Sequence, residues 1–246
     1  MAPSKKRGGG KGGGSKKKAK TSQSSGTPLK FEKYADEDEG CVTMEGLAKL
    51  AVDLGIDAAT DTKLLALCWR LGATKPGVIQ KDEWAKFETC PELPTFSSSY
   101  VRLCLVLHSL RTVEALKSGW GQLDPSFLEN AEFRPFYKFC FEFNREGTKK
   151  FLERDTAIAL LPLCIENRSI HAASFVEFLE TKPEDFKLNK DQWCSFLDFS
   201  VSVGVGPKFE GWDAEESSWP ILLDEFVEWS KTTHQPAPTP TKKKKK

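Results

Sequence analysis

The chain has 246 residues, of which 39% are hydrophobic and 29% charged, and it contains 17 Phe and 7 Trp. This length allows one large domain or two small ones, and the aromatic content predicts a folded body with a sizeable core. The longest apolar runs, such as residues 157–161, are far too short to cross a membrane, so the composition argues against a membrane-spanning protein.

The net charge of +1 conceals a separation of charge along the chain. Residues 1–30 contain nine Lys or Arg and no acid, and residues 231–246 contain six Lys and no acid. The segment between them keeps 21 basic residues against all 35 acidic ones. An acidic body repels the phosphates of nucleic acids and suits a basic protein partner, so nucleic-acid binding by the body is disfavoured.

The two ends have the composition of disordered segments. Residues 1–28 are rich in Gly, Ser and Lys, and residues 233–246 combine Pro with a run of Lys. Neither end holds enough apolar surface to offset the entropy lost on ordering. Their lysine clusters allow three interpretations: a nuclear import signal, a nucleic-acid adaptor or a solubilising tail. We expect an intracellular protein, with the nucleus favoured.

Candidate catalytic residues are few. The seven cysteines form no C-x-x-C pair, their number is odd and no signal peptide precedes them, which predicts reduced thiols inside a cell. Cys104 and His108 stand four residues apart, a spacing that could seat a metal or a thiolate–imidazole pair. Since no further Cys or His completes such a site, we interpret them as a core thiol and a hydrogen-bonded core histidine. Because no catalytic motif occurs either, we predict no enzyme, no cofactor and no metal.

Hydrophobic spacing of three and four residues, typical of helices, runs through most of the chain between the tails. No segment alternates over five or more residues, so the predicted fold class is all-α. Stop signals at Gly55 and Gly72, a start signal at Asp124 and a capping box at Asn189 mark helix ends. The predicted helices cover residues 44–54, 64–71, around 84–87, 97–117, 133–143, 153–166, 171–181, 190–203 and 219–231.

Two loops have the shape of an EF-hand calcium loop but lack its ligands. Such a loop places Gly at position 6 and oxygen ligands at positions 1, 3, 5, 9 and 12. With Gly40 at position 6, the two end positions are Ala35 and Gly46. With Gly77 at position 6, Glu83 stands at position 12 but positions 1, 3 and 5 offer no carboxylate. The pattern predicts two helix–loop–helix units without calcium, and a calcium sensor stays open as an alternative function.

Acidic residues lie between apolar residues at helical spacing near the C-terminus. Asp224, Glu225 and Glu228 share one predicted helix, and Asp191 lies near the start of another, where the helix dipole favours a negative charge. Taken alone, these acids fit a solvated face and ordinary helix-start chemistry as well as they fit a docking surface for a basic partner.

Several long motifs resemble, in order, those of the defective-in-cullin-neddylation (DCN1-like) family, and most closely its nuclear subgroup. The motifs are Leu67-Cys-Trp-Arg-Leu71, Lys81-Asp-Glu-Trp84, Phe136-Tyr-Lys-Phe-Cys-Phe-Glu-Phe143, Asn189-Lys-Asp-Gln-Trp193 and Trp219-Pro-Ile-Leu-Leu-Asp-Glu-Phe-Val-Glu-Trp229. The resemblance implies a helical potentiating-neddylation domain over residues 29–232. Its EF-hand-like part would cover about 31–120 and its cullin-binding part about 121–232.

The resemblance also implies a function, that of a non-catalytic scaffold for cullin neddylation. Such a protein binds a cullin and the neddylation E2, while the RING-box subunit acts as the ligase; we expect a monomer. The family's cullin contact is an acidic trio with a central alanine, which matches Asp191, Ser218 and Asp224 here, with Glu225 and Glu228 able to widen the acidic field. Its pocket for the acetylated N-terminal Met of the E2 would be lined by Leu64, Leu65, Leu67, Leu71, Ile79, Phe143, Leu160 and Leu163. Each of these eight apolar residues could equally be ordinary core.

Overall fold

The computed structural model describes residues 26–58, 61–89, 98–123, 130–165, 168–204, 209–213 and 218–233. The predicted start signal at Asp124 and nearly all of the two basic tails lie outside these residues. None of the helices in the described ranges is both long and apolar enough to cross a membrane.

Eleven α-helices in the described ranges dominate the fold, and the predicted all-α class is confirmed. A 3-10 turn, Trp120–Gln122, follows the sixth helix. The helices are α1 (Phe31–Tyr34), α2 (Met44–Leu54), α3 (Thr62–Leu71), α4 (Lys81–Glu88), α5 (Ser98–Ser109), α6 (Val113–Gly119), α7 (Asn130–Asn144), α8 (Arg154–Ile165), α9 (Ala172–Glu180), α10 (Lys190–Ser202) and α11 (Ile221–Thr233).

Local signals place several helix ends where the sequence predicts them. Gly55 and Gly72 close α2 and α3 in the left-handed region, with φ of +68° and +70°, a conformation that glycine adopts without steric cost. The capping box at the start of α10 is present, because Asn189 accepts the N–H of Gln192 at 2.9 Å and the Gln192 side chain accepts the N–H of Asn189 at 3.0 Å.

The single helix predicted over residues 97–117 is wrong: α5 ends at Ser109 and α6 begins at Val113. Thr112 caps α6 by accepting the N–H of Ala115 at 3.2 Å. The same stretch pairs with the segment before α1, where Leu29 donates to the carbonyl of Arg111 at 2.9 Å. The helix is interrupted because its backbone groups find partners in a part of the chain more than 80 residues away.

A two-stranded antiparallel sheet is regular structure that the sequence did not indicate, as are the four-residue helix α1 and the 3-10 turn. Its strands are β1 (Phe151–Glu153) and β2 (Lys187–Asn189), with Leu152 opposite Leu188 and both side chains buried. Three residues are too few for alternation to be visible in a sequence. Because β1 leads directly into α8 and β2 directly into α10, the sheet fixes the first turns of these two helices relative to each other.

The buried side chains form two clusters that meet at α7. The N-terminal cluster is built from residues 29–123 together with Phe143, and the C-terminal cluster from residues 133–227 together with Ala66. Phe139 packs against both, and Trp69 of α3 lies edge-on to Phe136 of α7 with ring centroids 5.4 Å apart. Helix α7 is therefore buried from two sides and joins the halves of the fold.

The two loops with EF-hand-like shape lie side by side. Val42 and Ile79, which occupy position 8 of their loops, exchange two backbone hydrogen bonds of 2.9 Å each. Gly46, at position 12 of the first loop, leaves no room for a side chain, because an added Cβ would lie 2.0 Å from the carbonyl oxygen of Tyr34. Sterics therefore require a glycine where a calcium loop has its last carboxylate.

His171 is buried beneath α10 and α11. Its Nε2 donates to the carbonyl oxygen of Val203 at 2.9 Å, and its ring stacks on Phe209 with centroids 5.6 Å apart. Burial among aromatic rings lowers the pKa of His171 below its ordinary value, because the site disfavours the charged imidazolium; the bond to Val203 opposes this only in part.

This lowered pKa predicts a loss of stability in mild acid. In the unfolded chain the imidazole of His171 binds a proton below a pKa of about 6.5, whereas in the folded protein it stays neutral to a lower pH. The free energy of unfolding therefore decreases as the pH decreases below this value, by at most about 1.4 kcal/mol per pH unit. Urea unfolding of the wild type between pH 7.5 and 5.5 should show this slope. His171→Gln does not titrate in that range, and its slope should be smaller; equal slopes would contradict the assignment.

Candidate docking surfaces

An apolar cleft of about 520 Å³ lies between α2, α3, the end of α7 and α8. Leucine is the most frequent residue in its wall, and Phe143 contributes an aromatic ring that stacks on Phe139 with centroids 5.1 Å apart. The lining residues are Met44, Leu47, Ala48, Ala58, Leu64, Leu65, Cys68, Phe143, Asn144, Asp155, Thr156, Ala159, Leu160 and Leu163. A concave and mostly apolar site of this size suits a short apolar side chain of a partner.

Five of the eight apolar residues predicted for the pocket line this cleft. They are Leu64, Leu65, Phe143, Leu160 and Leu163. The other three, Leu67, Leu71 and Ile79, have no exposed surface and lie in the N-terminal cluster behind the wall. They point inward because their helices and loop must fill that cluster, and the cleft is lined by the neighbouring positions on α3.

The structure adds cleft residues that the prediction did not include. One apolar stripe of α2 contributes three of them, Met44, Leu47 and Ala48. Met44 is 59% exposed to solvent. The sequence showed this stripe but gave no means to tell a face turned to a cleft from a face turned to the core. Met44 also lies near the second loop, since a Cβ added to Gly77 would be 3.4 Å from its side chain.

The polar part of the rim carries little net charge. Asp155, in the first turn of α8, accepts a hydrogen bond of 2.9 Å from Arg154, whose guanidinium also donates to the carbonyl of Lys182. Cys68 lies at the cleft floor, and burial raises the pKa of its thiol far above the ordinary value, so the thiol stays protonated. The cleft therefore offers a ligand apolar contacts and hydrogen bonds but no strong electrostatic field.

Glu83, the one carboxylate at a ligand position of the second loop, is satisfied by the protein itself. It accepts the N–H of Thr74 at 2.9 Å, the hydroxyl of Thr74 at 2.8 Å and the N–H of Gln80 at 2.8 Å, and it is buried. Within the described ranges, no group of three or more His, Cys, Asp or Glu residues is arranged to hold a metal ion.

The residues considered for catalysis have structural partners. His108 donates from Nδ1 to the carbonyl oxygen of Phe87 at 3.2 Å and accepts from Arg111 at Nε2 at 2.6 Å, while Cys104 is buried. Burial raises the pKa of the Cys140 thiol well above its ordinary value, which disfavours the thiolate that a nucleophile needs. Cys104 is thus a core thiol, whereas His108 is hydrogen-bonded but only half-buried.

Asp191 lies in the first turn of α10 with an exposed side chain, beside a second cleft of about 530 Å³. Tyr137, Leu197 and Cys194 give this second cleft an apolar floor, and basic residues of α7 and α10 stand at its edge. Lys190, the preceding residue, is paired with Glu142 of α7 at 2.5 Å. Asp191 presents an exposed carboxylate at the rim of a partly apolar groove.

Asp224 lies in the first turn of α11 and is half-buried. It accepts a hydrogen bond of 3.1 Å from the indole Nε1 of Trp212, a residue that the sequence did not single out. Ser218 is exposed in the segment that leads into α11. Its hydroxyl can meet water or a partner, so a serine at this position leaves no buried polar atom without a hydrogen bond.

Glu225 and Glu228 are both paired with lysines. Lys182 binds the carboxylate of Glu225 and lies over the ring of Phe178, and Lys231 donates to Glu228 at 3.0 Å. Exposed ion pairs of this kind contribute little stability, but they cancel much of the local negative potential. We call Asp191, Asp224, Glu225 and Glu228 the acidic face of α10 and α11. Because the two glutamates are paired with lysines, the negative charge of this face depends mainly on Asp191 and Asp224.

The chain is similar in sequence to known proteins over most of its length. A family model described as "Cullin binding" matches residues 115–229, a range that includes all five residues of the predicted cullin contact. The DCN1-like protein 5 of Rattus norvegicus is 31% identical over 201 residues, covering 82% of this chain and 75% of that protein. The DCN1-like protein 4 of Homo sapiens is 30% identical, with coverage of 82% and 61%, and that of Drosophila melanogaster is 28% identical, with coverage of 81% and 72%.

Truncation of leucines should separate the cleft wall from the core behind it. Leu67→Ala removes a fully buried side chain and should lower the free energy of unfolding by about 2–5 kcal/mol. Leu163→Ala changes a half-exposed wall residue and should cost clearly less. Urea denaturation of both variants tests the assignment, which equal losses would contradict.

Proposed function

This chain belongs to the DCN1-like family and has a role in the cullin neddylation pathway, and from that premise we propose that it acts as a scaffold without covalent chemistry of its own. It would bind a cullin through the acidic face of α10 and α11 and the N-terminus of the neddylation E2 in the apolar cleft. The observation that carries the proposal is that the apolar cleft and the groove beside Asp191 are both lined by residues of the same buried helix, α7.

The cullin part of the proposal rests on Asp191 and Asp224. Each stands in the first turn of its helix, where the helix dipole stabilises the negative charge before any partner arrives. Carboxylates placed in this way suit Lys or Arg side chains of a partner, and opposite charges at the rim of an interface speed encounter and fix its register. The second cleft beside Asp191 offers an adjoining apolar surface.

The E2 part of the proposal rests on the chemistry of the apolar cleft. A methionine side chain fits walls of leucine and phenylalanine, and burying it removes apolar area from water. A free N-terminal amine carries a charge that is costly to desolvate there, and Asp155 is already paired with Arg154 and compensates that charge only weakly. Acetylation removes the charge and leaves an amide that can hydrogen-bond at the rim.

The proposed mechanism is one of positioning. Holding the cullin and the E2 on one rigid block raises the effective concentration of each for the other and restricts their relative orientation. The bond-making steps, from the E2 thioester to a cullin lysine, would stay with the E2 and the RING-box subunit. A monomer suffices for this role, because one chain carries both docking surfaces.

The basic tails support only a proposal about location. Their lysine clusters fit nuclear import, which would bring the scaffold to nuclear cullins. A calcium-sensor role has less support, because the buried carboxylate of Glu83 already accepts three hydrogen bonds from its own loop and neighbouring helix start.

Reversing charge on the acidic face should abolish most cullin binding. Asp191→Ala combined with Asp224→Arg should weaken binding to a cullin C-terminal domain at least roughly tenfold, measured by calorimetry, because buried or rim charge pairs are lost and one is made repulsive. Glu37→Ala with Asp38→Arg makes the same change of net charge in the exposed first loop and serves as the control. Equal affinities for the wild type and the first variant would remove the proposed cullin face.

Acetylation should decide how strongly the E2 N-terminus binds. A peptide of that N-terminus should bind at least about tenfold more tightly when acetylated than when its amine is free, as measured by fluorescence anisotropy. Leu163→Arg places a charge in the cleft wall and should remove the difference, whereas Leu105→Arg, on an exposed position of α5, should preserve it. Identical affinities of both peptides for the wild type would exclude this use of the cleft.

A further inference from the structure

Trp212 lies in a short segment, residues 209–213, that packs across the ends of α10 and α11. Phe209 anchors the segment, since it is buried and its ring lies 6.2 Å from that of Phe226 in α11. Gly211 has a φ of +92° and lies against α10, where an added Cβ would be 2.7 Å from the carbonyl oxygen of Ser202. The residue before Trp212 therefore has to be a glycine for the segment to lie this close to α10.

The indole ring is held between an anion and a cation. On its edge, Nε1 donates to Oδ1 of Asp224 at 3.1 Å. Over its face lies Lys231, with Nζ 4.1 Å from the ring centroid, and the same ammonium donates to Glu228 at 3.0 Å. A cation over the ring is attracted to its electron-rich face and draws density from it, which makes the N–H a better donor. The indole therefore donates to one oxygen of Asp224, while Lys231, which is bonded to Glu228, lies over its face.

We infer that Trp212 is a positioning residue for cullin recognition: it holds Asp224 in one orientation and keeps it ready for a basic side chain of the cullin. The indole N–H can donate but cannot accept, so it interacts favourably only with a carboxyl that offers a lone pair, best of all an ionised one. It donates to Oδ1, which leaves Oδ2 to accept a hydrogen bond from a basic side chain of the cullin. A carboxylate that is already ordered loses less entropy on binding.

This inference rests on the proposed function for its consequence in binding, but not for its structural part. The structural part concerns Asp224 alone and can be measured without a cullin. If the indole N–H of Trp212 is bonded to Asp224, removing that carboxylate must leave the N–H more open to exchange with solvent. The two measurements therefore fail separately. A wild type that does not bind a cullin would contradict the proposed function, and an indole N–H that is insensitive to Asp224 would contradict the role of Trp212.

The first experiment follows the indole N–H of Trp212 in the full chain by ¹⁵N NMR, in the wild type and in Asp224→Ala. The variant removes the acceptor and keeps both the indole and Lys231 over its face. We expect the indole proton to exchange with solvent faster in the variant. Thermal unfolding of both proteins confirms that the fold is kept. An exchange rate that stays the same, or that becomes slower, overturns the inference.

The second experiment is a double-mutant cycle with a cullin C-terminal domain. Trp212→Phe should weaken binding by about threefold to tenfold, and in an Asp224→Ala background the same change should have almost no effect, because there is no carboxylate left to position. Trp120→Phe, which removes an indole from the N-terminal cluster, is the matched control and should leave affinity unchanged. Additive losses would assign Trp212 a direct or general structural role, and tighter binding by Trp212→Phe would mean that the indole masks Asp224; either result overturns the inference.

Discussion

The burial of α7 on two sides is the constraint on which the rest of the structure depends. Its Phe136 packs against Trp69 of the N-terminal half, and its Tyr137 stacks on Trp193 of the C-terminal half with centroids 4.6 Å apart. The indole N–H of Trp193 also donates to the backbone carbonyl of Tyr137 at 3.0 Å. Side chains held this closely leave α7 no freedom to shift, so anything attached to it keeps a fixed place.

Residues of α7 line both the apolar cleft and the groove beside Asp191. Its last turn contributes Phe143 and Asn144 to the apolar cleft, while Arg134 and Lys138, nearer its start, line the groove beside Asp191. At 1.5 Å per residue, the nine residues from Arg134 to Phe143 span roughly 14 Å along the axis. Two partners bound at this separation are held by one element, and motion between the two halves of the fold cannot easily uncouple them.

The helix ends that depend on neighbouring residues could be predicted from the sequence. The features that depend on contacts between distant residues could not. The ends of α2 and α3 follow from Gly55 and Gly72, and the start of α10 from its own capping box. The break between α5 and α6 could not be predicted, because it arises from pairing with residues 27–29. Core and cleft wall share one composition, so Leu67 and Leu163 became distinguishable only when the packing was known. The contact between Trp212 and Asp224 joins an irregular segment to a helix and has no periodic signal.

The satisfied carboxylate of Glu83 has a consequence for the helix that follows its loop. In a loop that binds calcium, the last carboxylate closes on the ion and moves the helix behind it. Here that carboxylate is already tied to Thr74 and Gln80, and the loop pair is joined by Val42 and Ile79. Because Glu83 belongs to α4, these hydrogen bonds hold the start of that helix against its own loop. The place that an ion takes in a calcium loop is filled here by backbone and hydroxyl donors of the protein itself.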